Sequence, residues 1–179
     1  MAKKKGVHYV DNKMFLQAMK DWKEQCKEAE EMGEEIPRIT NYIGECFLKI
    51  ANGLSYKPNF INYTYRDEMI SDGIENCIQY CRNFNAEKSK NPFSYFTQII
   101  YYAFVRRIER EKKQAYIKHK LTYESGILEE IIEMDPDMKL NIEYQKNDFF
   151  DIYEFEEKMD RKRKSRKMKS KNSLESFME

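Results

Sequence analysis

The chain has 179 residues, 41% hydrophobic and 35% charged, with a formal net charge of +1, which suits one ordinary domain plus a tail. Six Gly and four Pro favour long helices over loops, and four Cys with two His are poor material for a disulfide scaffold or a zinc site. No apolar run approaches a membrane span, and the basic start MAKKKGVHYV lacks the apolar stretch of a signal peptide, so the expectation is a cytoplasmic protein without membrane contact.

Four helical patterns come first. Asn12 is placed to cap a helix running to about Met32, with Phe15, Leu16, Met19, Trp22 and Cys26 at helical spacing and Gly33 as its stop. Thr40 caps a second helix through Ala51, and Gly53 fits its end. Residues 54–64 read as an aromatic loop around Pro58. A third helix is predicted from about Tyr65 to Arg82. Ile70, Ile74, Cys77, Ile78 and Cys81 form its apolar side, and Glu68, Asp72, Glu75 and Gln79 line the other. Asn91-Pro92 then opens a fourth helix to about Lys120. Its buried row is Phe96, Ile100, Phe104 and Ile108, opposite Tyr95, Gln98, Tyr102, Arg106, Arg110 and Lys113. Residues 121–145 admit either helix or loop, with a break at Asp135-Pro136, and Asn147 can cap a short acidic helix to about Lys162. The predicted fold class is mostly α: a compact helical domain over 1–115, an acidic linker with short helices over 116–160, and an extended, partly disordered tail over 161–179.

The near-neutral total is a cancellation of blocks. Residues 105–120 carry net +5, residues 121–160 carry thirteen acids against three Lys, and residues 161–171 carry eight positive charges and no acid. Blocks of this kind serve either as interaction surfaces or as solubilising segments. No Gly-rich phosphate loop or nucleophile elbow is present, and neither His8 nor His119 has an obvious catalytic partner. The expectation is therefore no catalytic residue, no metal and no cofactor. Cys77 and Cys81 have a metal-compatible i, i+4 spacing, but lie on an apolar face where Cys acts as a small buried hydrophobe. The mixture of Tyr95, Tyr102, Arg106 and Arg110 on the fourth helix fits stacking on unpaired bases with cations on phosphates. It fits equally well with tyrosines packed on another helix and solvated arginines.

Two stretches in order, EMISDGIENCIQYCRNF over 68–84 and NPFSYFTQIIYYAFVRRI over 91–108, resemble region 2 of bacterial sigma factors. Met69-Ile70-Ser71-Asp72-Gly73 and Phe84 match the ends of that family's polymerase-binding helix. Tyr95, Thr97, Ile100, Ala103, Arg106 and Ile108 match the following helix, which recognises and melts the promoter. The phrases NFxxYT, EMIxDGIE, KNPxxYxTQ and AFVxRI are similar to the late-transcription sigma factors of T-even-type bacteriophages, over about residues 8–115 and again at the tail.

The resemblance implies a reduced sigma factor in an infected bacterial host. Glu68, Ser71, Asp72 and Glu75 are then expected to contact the clamp coiled coil of the largest subunit of host RNA polymerase core. Tyr95, Gln98, Tyr102, Arg106, Arg110 and Lys113 are expected to meet promoter DNA, including the unpaired strand of an AT-rich −10-like element, with Tyr95 stacking on a base. The C-terminal SLESFME is similar to the family's motif for the phage DNA sliding clamp, with Leu174, Phe177 and Met178 as its anchors. The chain departs from primary sigma factors at Gln98-Ile99, where they carry adjacent tryptophans, and at Tyr102 and Val105, where they carry a base-reading glutamine and threonine. The alternative is an adaptor that binds polymerase or nucleic acid without directing initiation.

Overall fold

The computed structural model describes residues 9–135, 156–161 and 163–165. Among these the fold is mostly α, as expected, with no strand: α1 Asn12–Met32, α2 Asn41–Ser55, α3 Arg66–Tyr80, a 3-10 turn Cys81–Asn83, α4 Pro92–Glu124 and α5 Ile127–Met134. The chain divides into two compact units, Met1–Ile108 and Glu109–Glu179, with the division inside α4.

In the first unit, α1 is capped by Asp11 rather than Asn12. The Asp11 carboxylate accepts from the backbone N–H groups of Lys13 and Met14 at 2.8 and 3.1 Å. Asn12 is the first helical residue, and its side chain reaches the start of α4. Its Oδ1 accepts from Phe93 N–H at 3.2 Å and its Nδ2 donates to Lys90 C=O at 3.4 Å, which satisfies one of the orphan donors at that helix end. Gly33 stops α1 in the left-handed conformation, φ 70°.

Thr40 caps α2 as expected, but Gly53 does not end it, and the helix continues to Ser55. A Cβ at position 53 would lie 2.8 Å from Tyr9 Oη, so the glycine clears room for the N-terminal segment. That segment also buries Val10 and sets the Tyr9 ring edge-on to Phe93.

The buried ridge of α3 is Met69, Gly73 and Cys77, continued by Cys81 in the 3-10 turn. This corrects the predicted apolar side in part: Cys77 and Cys81 are buried as expected, but the isoleucines do not lead the buried row. Ile70 and Ile74 are only half-buried, and Ile78 is 47% exposed. The reason is Gly73. A Cβ there would meet Ile100 Cγ2 at 3.0 Å and Phe104 Cε1 at 3.1 Å, so α4 approaches α3 across the glycine.

Asn91 caps α4, accepting from Ser94 N–H at 3.0 Å, and Pro92 occupies the first position, where no N–H is needed. Phe96, Ile100 and Phe104 are fully buried, Ala103 joins them, and Ile108 is half-buried. Phe96 is the hub of the core, with ring centroids 4.6 Å from Phe47, 5.6 Å from Phe15 and 5.9 Å from Phe84. The loop after α2 contributes Phe60, edge-on to Phe104 at 5.2 Å. The Trp22 indole N–H is shared between the Pro37 and Arg38 carbonyls, tying α1 to the connection before α2.

In the second unit, α4 runs one turn past the predicted end, to Glu124, and Gly126 (φ 69°) turns the chain into α5. That helix stops at Met134, with Asp135 extended, at the expected Asp-Pro break. Residues 156–161 are helical. The start of the acidic helix predicted from Asn147 lies outside the described residues.

Candidate functional site

The outward side of α3 mixes polar and apolar groups. Ser71, Ile74, Glu75, Ile78 and Gln79 line one open concavity. Glu68, Ser71 and Glu75 are exposed, as a contact surface requires. The isoleucines on this face were missed because their spacing reads as a core row.

Asp72 is placed differently. It is only 20% exposed and is held by Arg107, itself 18% exposed, whose Nε and Nη2 donate to the two carboxylate oxygens at 2.7 and 2.8 Å. A two-point fork of this kind is among the stronger ion-pair geometries. One turn along, Asn76 Oδ1 accepts from Arg106 Nη2 at 2.7 Å, while Asn76 Nδ2 donates to the Asp72 carbonyl at 2.7 Å. The polar row of α3 therefore splits. Glu68, Ser71 and Glu75 face outward, while Asp72 and Asn76 tie α3 to α4. Asp72, expected on the outward polar side of this helix, is instead mostly covered.

Tyr95, expected on the exposed row of α4, is instead half-buried. Its ring packs against Phe84 at 5.2 Å and Phe96 at 5.1 Å, half-buried at the edge of the core. Burial raises its phenol above the ordinary value, and the neighbouring Cys77 and Cys81 thiols push the same way.

The exposed aromatics of α4 lie elsewhere. Gln98 and Tyr102 share an open concavity with Asn91, Phe93, Ser94, Thr97 and Tyr101. Tyr101 and Tyr102 meet edge-on at 5.7 Å, and Tyr101 leans on Phe60 at 5.6 Å. Amides, hydroxyls and tyrosine faces together can stack on a planar base and bond its edge. Tyr101 was absent from the sequence-based set. Its signal is the Tyr101-Tyr102 pair, which puts aromatics on both flanks of the exposed arc.

Arg110 and Lys113 are exposed and belong to the second unit. There the Tyr116 hydroxyl donates to Glu156 Oε1 at 2.6 Å, and Lys120 Nζ lies 3.9 Å from both Glu124 and Glu156. The hydrogen bond to Glu156 is the main reason the Tyr116 phenol sits above its ordinary value. Leu174, Phe177 and Met178 lie outside the described residues. All four cysteines are free and buried. Burial pushes the Cys77 thiol well up, and Cys81 adds to it, which makes it an inert packing group at neutral pH.

No family model matches this chain, and no curated protein matches it.

Proposed function

We propose that this chain is a sigma-type transcription initiation factor similar to the late-transcription factors of T-even-type phages, acting in the cytoplasm of an infected bacterium. It binds host RNA polymerase core through the outward face of α3, with Glu68, Ser71 and Glu75 beside Ile74 and Ile78. It engages an AT-rich −10-like promoter through α4, with Gln98, Tyr101 and Tyr102 against unpaired bases and Arg106, Arg110 and Lys113 on phosphates. Its C-terminal anchors Leu174, Phe177 and Met178 take the DNA sliding clamp. The chain performs no chemistry itself; it supplies binding energy for the open complex.

One observation carries the reading. The two stretches that resemble region 2 fall on adjoining helices that approach across Gly73, and their outward faces differ in chemistry. That of α3 is acidic and aliphatic, and that of α4 is aromatic, amide-bearing and cationic. A protein joining an enzyme to a melted strand needs two such faces on adjoining helices. AT-rich steps unstack at low cost, so few base contacts suffice to select them.

The test is run-off transcription from AT-rich late-type promoters with bacterial core polymerase, with and without DNA-loaded sliding clamp. Promoter-dependent transcripts that rise with the clamp are expected. Polymerase binding without initiation would instead mark the chain as an adaptor.

A further inference from the structure

We propose that α3 gives the two adjacent arginines of α4 opposite tasks: Asp72 retains Arg107 as a structural tie, and Asn76 presents Arg106, its charge intact, to a phosphate. The proposal rests on the reading that α4 meets promoter DNA, and it names the residue that prepares that contact.

The chemistry of the two acceptors differs. Arg107 is matched by a carboxylate at two points, 2.7 and 2.8 Å, where both side chains are about four-fifths covered. Its charge is cancelled and its fork is occupied. Arg106 is exposed and meets a neutral amide oxygen at 2.7 Å. That amide is itself oriented, because its Nδ2 is engaged by the Asp72 carbonyl at 2.7 Å. A neutral acceptor fixes the guanidinium without neutralising it. Holding a long side chain in place before binding removes part of the ordering cost, and the guanidinium keeps further N–H donors for an anion. Asn76 is thus a positioning residue that acts through Arg106. An aspartate there gives up the bond to the Asp72 carbonyl but offers Arg106 a carboxylate, the class of partner that Arg107 has.

The experiment is a salt titration of fork-junction AT-rich DNA binding to the complex of the full chain with core polymerase. Each phosphate contact contributes about 0.9 to the slope of log affinity against log salt. Arg106→Ala should lower the slope by about one. Asn76→Asp should lower it by a similar amount, and the double variant should lose no more than Arg106→Ala alone. Arg107→Met should leave the slope unchanged while lowering the unfolding midpoint. An unchanged slope in Arg106→Ala, or fully additive losses in the double variant, would overturn the proposal alone. Absence of wild-type binding to the fork would overturn the promoter reading and the proposal with it.

Discussion

The two halves of α4 are held by different physics. Over residues 92–108 the helix buries Phe96, Ile100, Ala103 and Phe104, and Phe96 meets three other phenylalanine rings. Over residues 109–124 none of the described side chains is buried. What is found instead are a Tyr116–Glu156 hydrogen bond and the pairs of Lys120 with Glu124 and Glu156. Apolar burial is non-directional, not screened by salt and worth about 1.5–3 kcal/mol per large side chain. Exposed pairs are worth about 0–1 kcal/mol and are screened by salt. The first unit therefore owes its geometry mainly to packing, with the Asp72–Arg107 pair tying α3 to α4. Residues 109–124 are tuned by charge.

The hardest way to break the first unit is at its hub. Phe96→Ala removes the ring against which Phe15, Phe47, Phe84 and Tyr95 pack, at a cost of about 3–5 kcal/mol. Trp22 is the single tryptophan and is buried in this unit, so its fluorescence reports the transition. A shift of its denaturation midpoint to much lower denaturant is expected. An unmoved midpoint would mean that the cluster does not set the stability.

The polar tie ranks next. Asp72→Lys places two cations together at a site four-fifths covered, and about 2–3 kcal/mol of stability should be lost. The charge swap Asp72→Lys with Arg107→Glu should recover most of it. If Asp72 were instead an external contact, the single variant would unfold like wild type and the swap would gain nothing.

These two sites also show what could be read in advance. Phe15, Met19, Trp22 and Cys26 recur at a clean helical period, so α1 and its buried face are legible from spacing alone. On α3 the isoleucines at 70, 74 and 78 outweigh Met69, Gly73 and Cys77 on any hydropathy scale, yet the second set is the buried one. A glycine contributes nothing to a hydropathy pattern while marking the closest approach of two helices. Asp72 and Arg107 are 35 residues apart, and nothing local links them, so the carboxylate looked like part of an outward row. Tyr95 and Tyr101 cannot be told apart by residue type. Only the position of Phe84 decides that one ring leans on the core edge, and only that of Phe60 decides how the other is supported.

A smaller effect comes from the thiols. Burial raises Cys77, with Cys81 adding to it. A thiol raised in the folded state contributes stability that is full below the unfolded value of about 8.5. That stability is lost as pH rises from there toward the folded value. For Cys77 alone the loss between pH 7 and pH 9 is about 1 kcal/mol. It is read as the extra pH dependence of wild type over Cys77→Ala. In the same range iodoacetamide should label Cys77 only when denaturant unfolds the first unit. Rapid labelling of the native chain would contradict its burial.

The smallest effect should fall in the second unit and stay there. Tyr116→Phe removes the hydroxyl that donates to Glu156 at 2.6 Å and leaves the ring. A single hydrogen bond to a carboxylate at a half-exposed site contributes about 0.5–1 kcal/mol. Wild-type protection of amides over 109–124 against hydrogen exchange should drop roughly two- to fivefold, since about 1.4 kcal/mol is tenfold. The Trp22 transition should not move, because no part of the aromatic core is touched. Raising the salt should shrink the wild-type advantage by screening Lys120 from Glu124 and Glu156. The phenol is held above its ordinary value chiefly by the Glu156 bond, so the contact persists through neutral pH and is lost as pH rises through that raised value. An equal loss of protection in both units would mean that they unfold together, and that the division within α4 is one of composition rather than of stability.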